Sequence, residues 1–414
     1  MKIVKLNSEQ FDKFASTHRY RSYFQSSMYA NVMMKYGYHT QFLGIINTEN
    51  KLIGATLLLY KEVFMGNKIA YAPRGILFNY ESVEKLKELV EGLKKVLGKQ
   101  NFILLRIDPY IPLTIRDYEG NIMNLNNKGT EIINNLKKAG FEYKGKNLYF
   151  ETEKPRWEAI VLLQRDIREI FAKLEKNTRM QVKKSANSGI DVVKDLNKNI
   201  EDLYQLMKGK KDKPPLSYYQ NIKDSFGDNV DIYYAKINTQ TFLVNSRRNY
   251  EKEVEYNDTL AARVQDTSLD QKYRDEYLSK KMESDRLIAA YKNDLVKATE
   301  LLKDNPNGII IAGAMIIKYD NAAYIIAEET GENYKSINPS YLLKWKLITD
   351  YNNQGLKYIN LNEIAGEFDG ENKYAKLNET KLGFNTTIAE YVGEFDIVLN
   401  NFSYNLYKKM NKEK

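Results

Sequence analysis

The 414-residue sequence predicts an α/β (α+β) fold in which one small sheet-forming unit occurs twice in tandem, with a long antiparallel helical coiled-coil hairpin inserted into the second copy. Two observations carry that reading. The succession helices, three strands, helix, strand is met twice along the chain. Between two neighbouring strands of the second copy, residues 244–305 hold no glycine or proline and read as charged helix.

In the first copy, residues Glu9 to Tyr36 have helical spacing with a break near Tyr20 to Phe24. Strand-like runs follow at Gln41–Ile46, Leu52–Tyr60 and Lys68–Gly75, the first two separated by the polar turn Asn47–Lys51. Ser82–Leu97 is amphipathic, with Val83, Leu86, Leu89, Val90, Leu93 and Leu97 on one face. A buried strand, Phe102–Asp108, closes the unit and stops at Pro109.

The second copy repeats the order. Helical Glu201–Lys208 and Ser217–Phe226 lead to strand Ile232–Lys236, then the insert, then strands Ile309–Tyr319 and Ala322–Ala327. Helix Pro339–Tyr351 and strand Leu356–Leu361 complete it. The repeat is one of element order, not of residues. It divides the chain into a first subdomain at 1–150, a second at 151–243 with 306–400, an arm at 244–305 and a C-terminal helical tail at 401–414. Mostly antiparallel strands followed by a crossover helix and a parallel strand resemble the GNAT acyltransferase superfamily, so two GNAT-like subdomains are expected. In the acetyl-CoA members of that superfamily a glycine-containing loop presents backbone N–H groups to the pyrophosphate. Neither copy has it: Lys61-Glu-Val-Phe-Met-Gly-Asn67 follows one strand, and Glu328-Glu-Thr-Gly-Glu-Asn333, with repelling carboxylates, follows the other. A CoA donor is disfavoured.

The arm has apolar or small residues three and four apart, at Tyr250, Val254, Ala261 and Val264 and again at Ile288, Tyr291, Leu295, Ala298 and Leu302. That narrow stripe is a coiled-coil seam. The pattern slips around Asp266-Thr267-Ser268, where capping residues cluster, so two antiparallel helices are expected. A charged linker would share the composition but not the spacing.

Composition narrows the chemistry. With no cysteine there is no disulfide, thiolate nucleophile or cysteine metal site, and the two histidines, His18 and His39, have no carboxylate at ligand spacing. No metal site and no serine triad is expected. No secretory leader is legible, and the longest apolar run, Gly308–Ile317, is half a membrane span, so a cytoplasmic protein is expected. The net charge is +9; the arm holds 12 basic and 13 acidic residues, which leaves the remainder at about +10 and favours a phosphate-bearing partner. Arg179, Lys183 and Lys184 set a positive stripe on a helix face, suited to a nucleic-acid backbone or a phosphate, or to plain solvation.

Local stretches in order along the chain resemble the Fem (FemABX) family of peptidoglycan bridge aminoacyltransferases. They are Phe24-Gln-Ser-Ser27, Tyr71-Ala-Pro-Arg-Gly75, Leu105-Arg-Ile-Asp-Pro109, Asn177-Thr-Arg179 with Val182-Lys-Lys184 and Gly189-Ile190, Pro339-Ser-Tyr-Leu-Leu-Lys-Trp345, Lys381-x-Gly-Phe384 and Glu390-Tyr-Val-Gly-Glu-Phe-Asp396. A helical hairpin in the second copy resembles the arm of the staphylococcal-type members. The resemblance implies transfer of an amino acid from aminoacyl-tRNA to the side-chain amine of a lipid-linked peptidoglycan precursor, without a cofactor. It implies transient contact with the membrane surface, and a homodimer or a related family member as a further partner; the arm would dock tRNA or a second protomer. An aminoacyl ester is already activated, so positioning, oxyanion stabilisation and proton movement suffice. The alternative from another class is a catalytically inactive RNA-binding or scaffolding module.

Lys381 matches the lysine of the family's Phe-Lys-x-Gly-Phe pattern, although Thr380 stands where the aromatic would be, and the resemblance implies that its ammonium stabilises the oxyanion or contacts the peptide substrate. Asp108, at the C-terminal end of a strand, is the second catalytic candidate, with turn capping as its structural alternative. Gln25, Tyr71, Arg74 and Gly75 are expected at the substrate, Arg74 as a bidentate holder of a carboxylate or diphosphate, with a structural salt bridge as its alternative. The family's diphosphate-binding lysine aligns with Asn31 or Met33, which makes Lys35 the nearest substitute. The family's arginine before a Tyr-Tyr pair falls in Lys208–Lys213, ahead of Tyr218 and Tyr219, and places Lys208, Lys210 and Tyr218 among the binding candidates.

Overall fold

The structure, a computed structural model, describes residues 1–210, 213–368 and 372–412. Strand β1 (Lys2–Lys5) and helices α1 (Ser8–Ala15) and α2 (Ser27–Lys35) precede β2 (His39–Ile46), β3 (Leu52–Phe64), β4 (Asn67–Ala72), α3 (Val83–Gly98) and β5 (Phe102–Ile107). A middle stretch holds β6 (Pro112–Arg116), β7 (Ile122–Leu125), α4 (Asn127–Lys138), β8 (Glu142–Tyr143), β9 (Trp157–Leu162), α5 (Ile167–Lys173), α6 (Lys176–Asn187) and β10 (Ile190–Lys194). Then come α7 (Glu201–Leu206), α8 (Leu216–Phe226), β11 (Val230–Ile237), the arm helices α9 (Thr239–Gln265) and α10 (Gln271–Asp304), β12 (Ile309–Tyr319) and β13 (Ala322–Thr330). The chain ends through α11 (Pro339–Asn353), β14 (Tyr358–Glu363), α12 (Ala375–Leu382), β15 (Thr387–Tyr391), β16 (Phe395–Val398) and α13 (Asn401–Lys412).

The duplication expected from element order is present in the pairing itself. One sheet runs β1-β2-β3-β4-β5 and the other β10-β11-β12-β13-β14, each with three antiparallel contacts and then one parallel contact after a crossover helix. The parallel strand needs that crossover, and α3 and α11 supply it. Two helices stand between the first and second strands of each copy: α1 and α2, then α7 and α8. A short turn joins β2 to β3, and the arm joins β11 to β12, so that Ile237 faces Ile309 across its base.

Beyond the fifth strand the copies exchange chain. In the first sheet β5 pairs with β16, which comes from the C-terminal end and is followed by β8. In the second, β14 pairs with β9, and β15, β6 and β7 continue the sheet. The sequence boundary at residues 150/151 therefore does not separate two bodies: β6 and β7, at 112–125, belong to the second sheet, and β16 belongs to the first. The physical reason is that a fifth strand left at a sheet edge presents unpaired N–H and C=O groups, and the exchanged strands satisfy them.

The arm begins at Thr239, five residues earlier than its composition suggested, because Asn238 caps α9 through the N–H of Thr241. Its break falls at Asp266, whose carboxylate accepts the N–H of Ser268 at 2.9 Å. The contact between the helices is partly polar: Asn257 donates to Asp285 at 2.9 Å, and buried Ser284 donates to Glu253 at 2.6 Å. At 1.5 Å per residue, 27 and 34 residues extend roughly 40 and 50 Å.

A fragment of residues 1–150 would keep β5 and β8 without β16 between them, and β6 and β7 without β15. It is expected to show no cooperative thermal transition by circular dichroism; a sharp melt would show that the first sheet closes without the exchanged strands.

Candidate active site

β13 and β14 are parallel neighbours only over their first three residues, Ala322–Tyr324 against Tyr358–Asn360, after which they diverge. Their counterparts β4 and β5 stay paired from Lys68 to Ala72. The divergence opens a cavity of about 620 Å³ in the second copy. Ile325–Glu329 and Leu361–Glu363 form two of its walls, Ser340 and Lys344 of α11 and Thr380 and Lys381 of α12 a third, and Met207, Lys210, Lys213 and Tyr219 a fourth. The volume suits a group the size of a nucleoside or amino-acid ester.

Lys381 is the sequence-predicted residue that the fold delivers to this cavity. It sits in the last turn of α12, and its Nζ donates to the backbone carbonyl of Glu363, at the end of β14. Burial, reinforced by the positive charge of Lys344 and opposed by Glu363 and Glu328, pushes its pKa down to about 8. A lysine in this state holds its proton at neutral pH yet gives it up far more readily than a solvated one.

Of the glutamates expected to repel phosphate, Glu328 and Glu329 line the cavity, each answered by a lysine, and Glu332 does not. Lys344, 2% exposed, bonds to Glu328 and to Ser340 Oγ at 2.6 Å, while Ser340 donates to Glu328 at 2.7 Å. Lys210 pairs with Glu329 at the rim, so of the candidates before the Tyr-Tyr pair Lys210 reaches the site. Lys208 is exposed after α7 and does not line the cavity, and residues 211–212 of that run lie outside the described residues.

Arg74 and Asp108 occupy a different place. The Arg74 guanidinium is buried between the sheets, donating to Glu158 at 2.7 Å and to the Pro155 carbonyl at 2.7 Å, and it lies over the rings of Tyr110 and Tyr391. Asp108, also buried, accepts the Arg74 backbone N–H at 2.6 Å and stands 3.6 Å from its guanidinium. Glu158 further accepts from Tyr110, Tyr391 and Asn360. Two carboxylates thus share one guanidinium, and burial raises the Asp108 pKa to about 7, the direction that leaves the cluster neutral. Arg74 thus makes the structural salt bridge that stood as the alternative to substrate holding, and Asp108 braces the Arg74 turn; both side chains face the seam and neither lines the cavity of about 620 Å³.

Gln25 and Gly75 belong to the same frame. The Gln25 side chain is fully buried; it donates to the Pro73 carbonyl at 2.7 Å and accepts the Leu57 N–H at 2.8 Å. A Cβ at residue 75 would stand 2.9 Å from Gln25 Nε2 and 3.0 Å from Thr56 Oγ1, so the Gln-Ser and Pro-Arg-Gly motifs interlock. Tyr71 lines a separate cavity of about 390 Å³ with Arg106, Glu153 and Tyr404. Tyr218, on α8, packs against Tyr36 at 4.9 Å between centroids, and the exposed Lys35 ends α2 beside it. On α6, Arg179 is turned inward and donates to the carbonyls of Ala172 and Leu174, which removes it from the stripe; Lys183 and Lys184 remain exposed.

Glu158, Tyr391, Arg156 and Lys344 were not among the sequence candidates. Lys344 and Tyr391 lie inside the motifs Pro339–Trp345 and Glu390–Asp396, so motif membership is the sequence signal that could have found them.

The FemAB family model matches residues 6–412. The chain belongs to the FemAB family. It is 24% identical over 424 residues to a lipid II:glycine glycyltransferase of Staphylococcus haemolyticus, covering 99% of this chain and 96% of that one. It is also 24% identical over 426 residues to the aminoacyltransferase FemA of Staphylococcus epidermidis, with both chains covered in full. The crystal structure of FemX superposes with a TM-score of 0.71 at 19% identity, covering 98% of this chain and 99% of that chain, which shows the shared fold.

In this FemAB-family chain the separated motifs meet in space. Gly383 lies against Thr178: a Cβ there would stand 2.0 Å from Thr178 Oγ1, and the Gly383 carbonyl accepts the Glu175 N–H at 2.9 Å. The Asn-Thr-Arg and Lys-x-Gly-Phe motifs therefore form one contact that seats Lys381. The C-terminal motif ties the seam: Glu390 accepts from Arg156 at 2.9 Å and from Thr114 at 2.7 Å, and Asp396 accepts from Arg106 at 2.8 Å. Arg74→Met would strand Glu158 and Asp108 without their cation. The expected loss is ~3–5 kcal/mol, read as a lower urea midpoint at unchanged m-value; a variant as stable as the parent would refute this role for Arg74.

Proposed function

We propose that this chain is an aminoacyltransferase that moves an amino acid from aminoacyl-tRNA to the side-chain amine of the stem peptide of a lipid-linked peptidoglycan precursor. The observation that carries the reading is a half-buried lysine with a lowered pKa in a cavity at the ends of two diverging parallel strands. The full-length similarity to proteins named as a lipid II:glycine glycyltransferase and as FemA supports it.

In this reading the aminoacyl-adenosine end of tRNA enters the cavity, and the neutral acceptor amine attacks the ester carbonyl. A C–N bond forms, the carbonyl oxygen becomes an oxyanion, and collapse breaks the C–O bond to the ribose oxygen. The amine gives up a proton and the ribose oxygen takes one. The Lys381 ammonium stabilises the oxyanion and stands as proton donor to the leaving oxygen. Lys344, held by Glu328 and Ser340, keeps positive charge behind Lys381 and holds its pKa down. The activated ester supplies the driving force, so the residues have to position and polarise rather than form a covalent intermediate.

Label transfer from a mixed pool of charged tRNAs to a lipid-linked pentapeptide tests this. Label is expected in the lipid fraction with the parent protein, and about 10²–10³-fold less with Lys381→Ala, the range of losing one oxyanion donor. No transfer from any charged tRNA to any diamine-bearing acceptor would overturn the proposal in favour of a non-catalytic RNA-binding module.

The pH profile gives an independent readout. The ammonium is the working form of Lys381, so initial kcat/KM is expected to fall as pH rises through about 8. The acceptor amine must be neutral, which sets the rising limb on the acid side. Lys381→Arg keeps its charge across this range and is expected to lose the falling limb while retaining part of the rate. The same falling limb in the arginine variant would rule out Lys381 as its source.

A further inference from the structure

Helix α13 carries apolar side chains on two opposite sides. Tyr404 is buried and Tyr407 half-buried against Ile103, Leu104, Ile69 and Phe64, which fixes the inner face on the first sheet. Phe402, Leu406 and Met410, spaced four apart, form a stripe on the outer side and are 82%, 39% and 47% exposed. A surface helix packed on one sheet needs a single apolar face. The outer stripe is therefore unexplained by folding.

Neighbouring structure extends it. Phe64 stacks on Tyr407 with centroids 6.3 Å apart, so the β3–β4 turn flanks the helix and presents Val63 and Met65, the latter 90% exposed. The groove beside the helix holds Arg106 and Lys408 with one carboxylate, Glu153. Lys61 is paired with Ile69 across β3 and β4 and so stands on the same face of the sheet, its Nζ 3.9 Å from the Tyr38 ring centroid. Lys408 lies over the Tyr404 ring at 4.4 Å, and Lys409 follows Phe402 by two helical turns. Residues 401–414 contain four lysines and one glutamate. Among the described residues no helix is long and apolar enough to cross a membrane.

We propose that α13 and the β3–β4 turn are the surface by which this protein docks on an anionic lipid bilayer. Phe402, Leu406, Met410 and Met65 enter the boundary between headgroups and acyl chains, and Lys408 and Lys409 meet anionic headgroups. An apolar stripe edged by lysines has the pattern of a helix that lies in the interface plane. A second copy of the chain fits less well, since a two-fold contact through this stripe would bring the lysines of both copies together. The purpose of the contact rests on the proposed reading that the acceptor is lipid-linked, but binding itself does not depend on catalysis.

Flotation with vesicles of equimolar phosphatidylglycerol and phosphatidylcholine tests the surface, with pure phosphatidylcholine vesicles as reference. Binding to the anionic vesicles is expected, weakened by high salt, and reduced at least about tenfold in Phe402→Ser/Leu406→Ser/Met410→Ser. The replaced side chains are exposed, and an unchanged melting temperature checks that the fold is kept. Transfer to a vesicle-embedded acceptor should fall in parallel in this variant, while transfer to a soluble acceptor that bears the same peptide stays at the parent level. Absence of parent binding to anionic vesicles, or equal binding by the triple variant, overturns the proposal. So does a concentration-dependent dimer of the parent that the triple variant abolishes. Vesicle binding without transfer to either acceptor would instead overturn the aminoacyltransferase reading and leave the docking surface standing.

Discussion

Arg74 is the cation on which the two halves of this protein close. Its guanidinium reaches Glu158 on β9 and Asp108 at the end of β5, while Tyr110 and Tyr391 cover it and donate to or stack beside the same carboxylate. Such a cluster contributes little net stability when intact, because desolvation of three charges offsets their attraction. It does enforce geometry, since removal of Arg74 or of Glu158 leaves a partner charge unpaired away from water. Glu158 on β9 and Tyr391 on β15 belong to the second sheet and Asp108 follows β5 of the first, so the cluster spans the two sheets that β6, β7 and β16 also link by exchange. The charge cluster and the strand exchange thus hold the same seam in two ways.

That seam determines where chemistry is possible. In the first copy the space past the parallel strand pair is filled by the Pro-Arg-Gly turn, locked by Gln25 and Asp108. The second copy leaves it open, because β13 and β14 part after three residues and α12 lies across their ends. One fold, used twice, ends its parallel pair in a buried charged frame in one copy and in the cavity of about 620 Å³ in the other, while the smaller cavity of the first copy lies along β4 and β5 beside α13. Lys381, with its lowered pKa, lines the cavity of the second copy.

Much of the fold was legible in the sequence. The strands β2, β3, β4, β5, β11, β12, β13 and β14 and the crossover helices α3 and α11 stood out, since each has a clean hydrophobic period and a turn signal at its end. The strands β6, β7, β8, β9, β15 and β16 did not. They are two to six residues long, and three of them, β9, β15 and β16, bury a carboxylate, Glu158, Glu390 and Asp396, where periodicity asks for apolar side chains. Strands that serve a polar seam hide from a hydrophobic pattern. The candidate residues divided in the same way: Lys381, singled out from its motif, lines the open cavity, whereas Arg74, Asp108, Gln25 and Gly75 carry equally strong motifs and are buried in the frame.

By itself, the sequence determined the elements, their order, the doubling of one unit, the arm in place of a turn, and the absence of thiol chemistry, because these depend on local periodicity, turn chemistry and composition. Only the tertiary structure decided which charges are buried and which strand lies beside which. It decided that the division between the copies runs through exchanged strands rather than at a chain position. It also decided that Lys381 meets open space while Arg74 does not. Those outcomes rest on contacts between residues 84 to 290 positions apart, such as Arg74 with Glu158 and Arg106 with Asp396, and desolvation at such contacts is a property of the packed whole.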